Sequence, residues 1–106
     1  MKIKHQYLTR HSYSAIAIPA YQVKLERDAN SNILPWAIEQ KDGSILNVEY
    51  VDHFKFSLHD LPNTFTKLLF GIDATQMKML VHRNYPDLAR MEERFQQVAY
   101  ICVKKL

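Results

Sequence analysis

From Ile45 to Val51 the chain alternates between apolar and polar residues. Leu46, Val48 and Tyr50 fall on one side of an extended segment, Asn47 and Glu49 on the other. Side chains of a strand alternate between faces with a period of two, so this stretch predicts a strand with one face on a core and one on water. Trp36–Gln40 is a second apolar-rich run, joined to the first by Lys41-Asp42-Gly43-Ser44. Asp-Gly supplies the positive backbone angles of a two-residue hairpin turn, so the two runs predict a β-hairpin. Continued in phase, the second strand buries Phe54 and Phe56, and Asp52 with them. A bulge that resets the register at Asp52 is the expectation; a polar cavity that receives the carboxylate is the alternative.

Before the hairpin, Tyr13, Ala15, Ile16, Ala17 and Ile18 are followed by Pro19 and then by Tyr21, Val23 and Leu25. Proline cannot donate to a ladder, which predicts two short strands or one broken strand at a sheet edge. Asp28-Ala29-Asn30-Ser31-Asn32 is rich in residues that satisfy nearby backbone groups with their own side chains, and it predicts an exposed loop.

After Ser57 the period changes. Asp60 is placed to cap a helix with Pro62 in its first turn, and Leu61, Phe65, Leu68 and Leu69 make one helical stripe up to Gly71, a left-handed C-cap. Asp73 and Gln76, three apart, predict a capping box on a second helix whose apolar face is Met77, Leu80, Val81 and Tyr85, stopped by Pro86. Beyond the charged patch Arg90-Met91-Glu92-Glu93-Arg94, the run Val98–Val103 is short and rich in β-branched residues, and predicts a strand covered on both faces. The sum is one α+β domain over residues 1–106: a mostly antiparallel sheet or small open barrel over roughly residues 1 to 56, two short helices, and a last strand that returns to the sheet.

Composition changes this picture little. Hydrophobic residues at 47% and charged residues at 24% suit a folded globular chain. The start of the chain lacks an apolar signal region and no run reaches the roughly 20 residues of a membrane span, so a cytoplasmic location is expected. Cys102, the single cysteine, reads as a free buried thiol. The net charge of +3 is unevenly spread: Lys2, Lys4, Arg10 and Lys24 all precede the first acid, Glu26. A basic segment of this kind attracts phosphate, although the total is small beside that of a dedicated nucleic-acid binder.

Candidate chemistry is sparse. The five histidines, His5, His11, His53, His59 and His82, contain no pair at the i, i+4 spacing of a helical zinc site, so neither a metal nor a cofactor is expected. With only Gly43 and Gly71, no glycine-rich phosphate loop exists. Asp52-His53 and His59-Asp60 form the densest titratable cluster, a set from which a small hydrolase could draw a general base and its orienting carboxylate. A plainer reading makes Asp60 a helix cap and leaves the histidines at the surface. Basic and aromatic residues coincide twice, in Lys4, Tyr7, Arg10, His11 and Tyr13 and in Lys78, His82, Arg83 and Tyr85. Cations that hold phosphates and rings that stack on bases are the tools of RNA and single-strand binders. The same residues also suit the solvated side of an amphipathic helix and core tyrosines.

Phe54-Lys55-Phe56, Asp60-Leu61-Pro62, Gly71, Met77-Lys78 and Tyr85-Pro86-Asp87 before a closing strand resemble the end of an ASCH-type, PUA-like small β-barrel domain, over about half the chain. The resemblance implies an RNA-associated module, and in some members a small amidohydrolase acting on modified nucleosides. The Gly-x-Lys-x-x-Glu type signature expected near the start of that family is absent, so no catalytic residue carries over. The expected function is therefore a non-enzymatic binding module for RNA or single-stranded nucleic acid that uses Lys4, Arg10, Lys78, His82 and Arg83. The alternatives are a protein-interaction or self-assembling subunit, with an edge strand or an exposed Phe/Met patch as its interface, and a small hydrolase.

Overall fold

The structure is a computed structural model that describes residues 2–4, 13–40 and 42–106, with side chains from Ser14 onwards. Five strands, β1 (Lys2–Lys4), β2 (Tyr13–Pro19), β3 (Trp36–Glu39), β4 (Ile45–Ser57) and β5 (Gln97–Lys105), form one sheet in the order β1-β3-β4-β5-β2. Three helices, α1 (Asn63–Phe70), α2 (Ala74–Asn84) and the single turn α3 (Pro86–Ala89), lie between β4 and β5 in the chain. The fold is α+β with a mostly antiparallel sheet. The exception is β1, which runs parallel to β3 with Ile3 opposite Ile38. Such a pairing needs a long crossover, and the chain from Lys4 to Trp36 supplies it.

Two compact units divide the chain. The first comprises the chain up to Ile16, Lys24–His53 and Ile101–Leu106. The hairpin forms as its alternation predicts: β3 pairs antiparallel with β4, and Trp36 lies opposite Val48, both buried. Its loop is longer than expected, because Gln40 N–H donates to Ser44 O at 2.8 Å and leaves three residues, not two, between them. Gly43 adopts φ +86°, the conformation a side chain would disfavour. The Asp42 carboxylate accepts from both the Ser44 hydroxyl and amide, which holds its carboxyl below the ordinary value. The Asp28–Asn32 loop is exposed as predicted, with Asn30 and Asn32 N–H donating to Asp28 Oδ1 and Ser31 at φ 65°.

β2 occupies the expected edge and stops at Pro19. The second short strand anticipated through Tyr21 and Leu25 does not form. Ala20–Gln22 instead coils into one 3-10 turn closed by Val23 N–H to Ala20 O. On β4 the alternation slips between Tyr50 and His53, where Val51 and Asp52 are both exposed and His53 takes the half-buried position. Asp52 Oδ1 accepts from the His53 amide at 2.7 Å, so the acid is satisfied locally and enters no polar cavity. As a result Phe54, expected inside, is 40% exposed; a second slip, with Phe54 and Lys55 both exposed, returns Phe56 to a half-buried position.

The second unit comprises Ala17–Val23 and Phe54–Tyr100. Its core joins Leu58, Leu61, Met77, Val81, Leu88, Val98 and Tyr100. Phe56, Phe65 and Phe70 pack on the Tyr100 ring at centroid distances of 5.1, 6.2 and 4.9 Å. The first helix departs from its predicted start: Asp60 does not cap it. Residues 57–60 form a separate turn, with Asp60 N–H donating to Ser57 O, and α1 begins two residues after Leu61 with Pro62 at its N-cap. The buried face is also rotated, since Thr66 is fully buried whereas Leu68, placed in the predicted stripe, is 78% exposed. Gly71 ends α1 at φ +73°, and Asp73 and Gln76 form the predicted capping box on α2. The α2 face is as read, with Met77 and Val81 buried and Leu80 and Tyr85 half-buried. Pro86, read as a stop, ends α2 and begins α3. β5 lies between β4 and β2, buried at Val98–Ile101 and at Val103, the strand covered on both faces.

Candidate nucleic-acid interface

With Met77 and Val81 turned into the core, the helical period carries Lys78 to the margin of α2 and His82 and Arg83 to its outer side. Lys78 and His82 are one turn apart. Among the described residues no carboxylate pairs with any of the three; the ion pairs of this unit are Arg90–Asp87 at 3.6 Å and Arg94–Glu92 at 2.9 Å, both exposed. The amino terminus of α2 is closed to ligands by its own caps. Asp73 Oδ1 accepts from Gln76 N–H, Gln76 Oε1 from Asp73 N–H, and Asn63 Oδ1 from Ala74 N–H at 2.9 Å.

Lys78 reaches a partner that the sequence does not announce. Its Nζ lies 3.2 Å from His59 Nδ1. The opposite ring nitrogen, Nε2, is hydrogen-bonded to Gln96 Oε1. The Gln96 amide nitrogen donates to Ala89 O at 3.1 Å and to Met91 O at 2.8 Å, so its carboxamide is held with the oxygen towards His59. An amide oxygen only accepts; Nε2 must therefore carry the ring proton, and Nδ1 presents the lone pair to which the Lys78 ammonium donates. Gln96 is 8% exposed and fully engaged, whereas His59 is exposed and Lys78 half-buried. The result is a lysine positioned by a neutral ring and not neutralised by an acid.

The remaining sequence candidates separate. Arg10, Tyr7 and His11 lie outside the described residues, as do the side chains of Lys4 and Tyr13; the Lys4 backbone pairs with Glu39. The Asp52/His53/His59 cluster does not form a carboxylate–imidazole pair. The His53 ring meets Tyr50, whose hydroxyl oxygen is 2.6 Å from Nδ1, and the His59 ring meets Gln96 and Lys78. Around His53, Trp36 packs on Tyr50 at 5.8 Å, and burial, then the Asp52 charge, push the Tyr50 phenol up. The Cys102 thiol is free, half-buried rather than buried, and likewise pushed up by burial and by Asp52, the opposite of nucleophile activation. Sequence reasoning missed Gln96 and the exposure of Phe54, whose ring packs edge-on against Phe65 at 5.3 Å. No local signal identifies Gln96, since its partners are 37 and 5 to 7 residues away.

No family model matches this chain, and neither a curated protein nor a solved structure does. No helix among the described residues is long and apolar enough to cross a membrane.

Proposed function

We propose that this chain is a small non-enzymatic binding module for RNA or single-stranded nucleic acid, with Lys78, His82 and Arg83 on α2 contacting phosphates. The observation that carries the reading is the state of Lys78: its ammonium is oriented by His59, Arg83 is close by on the same helix, and no carboxylate among the described residues pairs with either. Oriented cations without acid partners are what a polyanion recognises. Phe54, 40% exposed, offers a ring on which a base can stack. The sequence resemblance to PUA-like domains points to the same ligand class.

Fluorescence anisotropy with single-stranded RNA and DNA oligonucleotides tests the proposal. Contacts from Lys78, His82 and Arg83 to three phosphates give a slope of log K on log salt of about −2. K78E with R83E weakens binding to every sequence alike and flattens that slope by about 0.7 per lost contact. Binding that is absent, or indifferent to salt, sinks the reading.

A second reading, a self-assembling or protein-binding subunit, draws on Leu68 and Met79, 78% and 59% exposed. Light scattering separates the two. A dimer lost in L68E and M79E variants favours assembly, and a monomer at all concentrations counts against it.

A further inference from the structure

The His59–Lys78 contact holds together only while the ring is neutral. Nε2 is committed to donating to Gln96 Oε1, so a second proton must enter at Nδ1, the atom that now accepts from Lys78 Nζ at 3.2 Å. Once it does, two donors and two positive charges face each other across that distance, and the hydrogen bond becomes a repulsion. An oxyanion between them reverses the sign: one oxygen accepts from Nδ1–H, another from the ammonium, and both charges are neutralised.

From this geometry we infer that His59 and Lys78 form a proton-linked binding site for a tetrahedral oxyanion of the phosphate or sulfate class. In the neutral state the ring occupies one donor of Lys78; in the protonated state the pair becomes a two-donor anion clamp. Gln96 gives the clamp its rigidity. Its amide is buried and tied to Ala89 O and Met91 O, so the ring keeps its Nε2–H bond to Gln96 and its orientation in both states. The groups that face His59 are few. Lys78 comes from α2, with His82 one turn further along that helix, and Gln96, uncharged, comes from the segment before β5. Within its own turn, the Ser57 hydroxyl oxygen accepts from the His59 amide at 3.3 Å, and Asp60 is next in the chain without an ion pair among the described residues. Linkage makes the effect reciprocal. The anion binds more tightly as the ring gains its proton, and the ring holds its proton to higher pH when the anion is present. This site deepens the nucleic-acid reading and rests on it only for the source of the phosphate.

The test is an NMR titration of the His59 ring of the whole chain. It is run in sodium sulfate and in sodium chloride of equal ionic strength, sulfate keeping its charge across the imidazole range of about pH 5 to 8. Sulfate raises the His59 midpoint by about 0.7 pH unit or more, a five-fold coupling at the low end of linked sites. The His53 ring, bonded to Tyr50, serves as the internal control and moves alike in both salts. In K78M the sulfate-dependent difference disappears. In H59Q, weak sulfate binding loses its pH dependence while the circular dichroism spectrum is unchanged. A midpoint that is equal in the two salts, or a sulfate shift that survives in K78M, overturns the site. Salt-sensitive RNA binding without a sulfate shift leaves the nucleic-acid reading standing and removes the clamp; a sulfate shift without RNA binding does the reverse.

Discussion

Tyr100 is fully buried yet carries a hydroxyl, and Thr66, equally buried, lies 2.8 Å from it. A lone buried hydroxyl costs free energy that a shared one does not, which explains why a threonine occupies a core position of α1. Replacing Tyr100 with Phe leaves the Thr66 hydroxyl unpartnered and lowers stability by about 1 to 3 kcal/mol, read from the urea midpoint at constant slope. Adding T66V recovers part of that loss, because both polar atoms then leave together. Cys102 carries a separate prediction. Its thiol is pushed above the ordinary 9.0 by burial, so it reacts more slowly with a disulfide reagent at neutral pH than the same thiol in denaturant. Equal rates would contradict the burial. At this scale the sequence was read well where a residue answers to its own backbone, as Gly43 and Gly71 do with positive φ. It was misread at Leu68 and Phe54, whose exposure depends on how far a helix rotates and where a strand slips.

At the scale of elements, two aspartates that looked alike behave differently. Asp73 has Gln76 three residues on, and both arms of the capping box form. Asp60 has Asn63 at that spacing, and Asn63 turns its oxygen to Ala74 N–H instead. Leu61 precedes a proline and is biased to extended backbone, so the helix starts after Pro62 and not at Asp60. The expected outcome is a contrast: D73A costs about 1 kcal/mol, in the range of lost N-caps, while D60A changes the thermal midpoint little. Similar losses from both would mean that Asp60 caps after all. Hairpin, capping box and C-cap were legible because each is written within a few consecutive residues. The 3-10 turn after Pro19 and the single turn α3 were not, because a proline ends a ladder or a helix without dictating the conformation of the residues beyond it.

For the whole molecule, the sheet order and the buried tyrosine set two further expectations. β5 is flanked by β4 and β2 and buried over Val98–Ile101, so its amides exchange with solvent more slowly than those of Ala20–Leu25 outside the sheet. Faster exchange in β5 would refute its interior position. Burial pushes the Tyr100 phenol above its ordinary 10.0, although the Thr66 hydrogen bond opposes the shift. For an acid held neutral in the folded state, the unfolded chain releases its proton first. The contribution of Tyr100 to stability is therefore complete below pH 10.0 and falls as pH rises through the higher folded value. Thermal unfolding followed across the alkaline range shows this as a declining midpoint above pH 10.0; in Y100F that part of the decline is missing.

The sequence by itself determined the α+β class, the hairpin, both main helices, the buried last strand and the outward side of α2 that carries Lys78, His82 and Arg83. These rest on periods of two and 3.6 residues and on caps that act over three or four positions, all local quantities. Tertiary structure alone decided that β1 pairs parallel with β3 and that β5 enters between β4 and β2, because strand order depends on contacts between distant segments. It alone brought Lys78 to His59 across 19 residues and His59 to Gln96 across 37. A hydrogen bond between distant side chains has no period and leaves no mark on the residues near either end. The basic face of α2 was therefore visible in the chain, and the ring that holds its lysine was not.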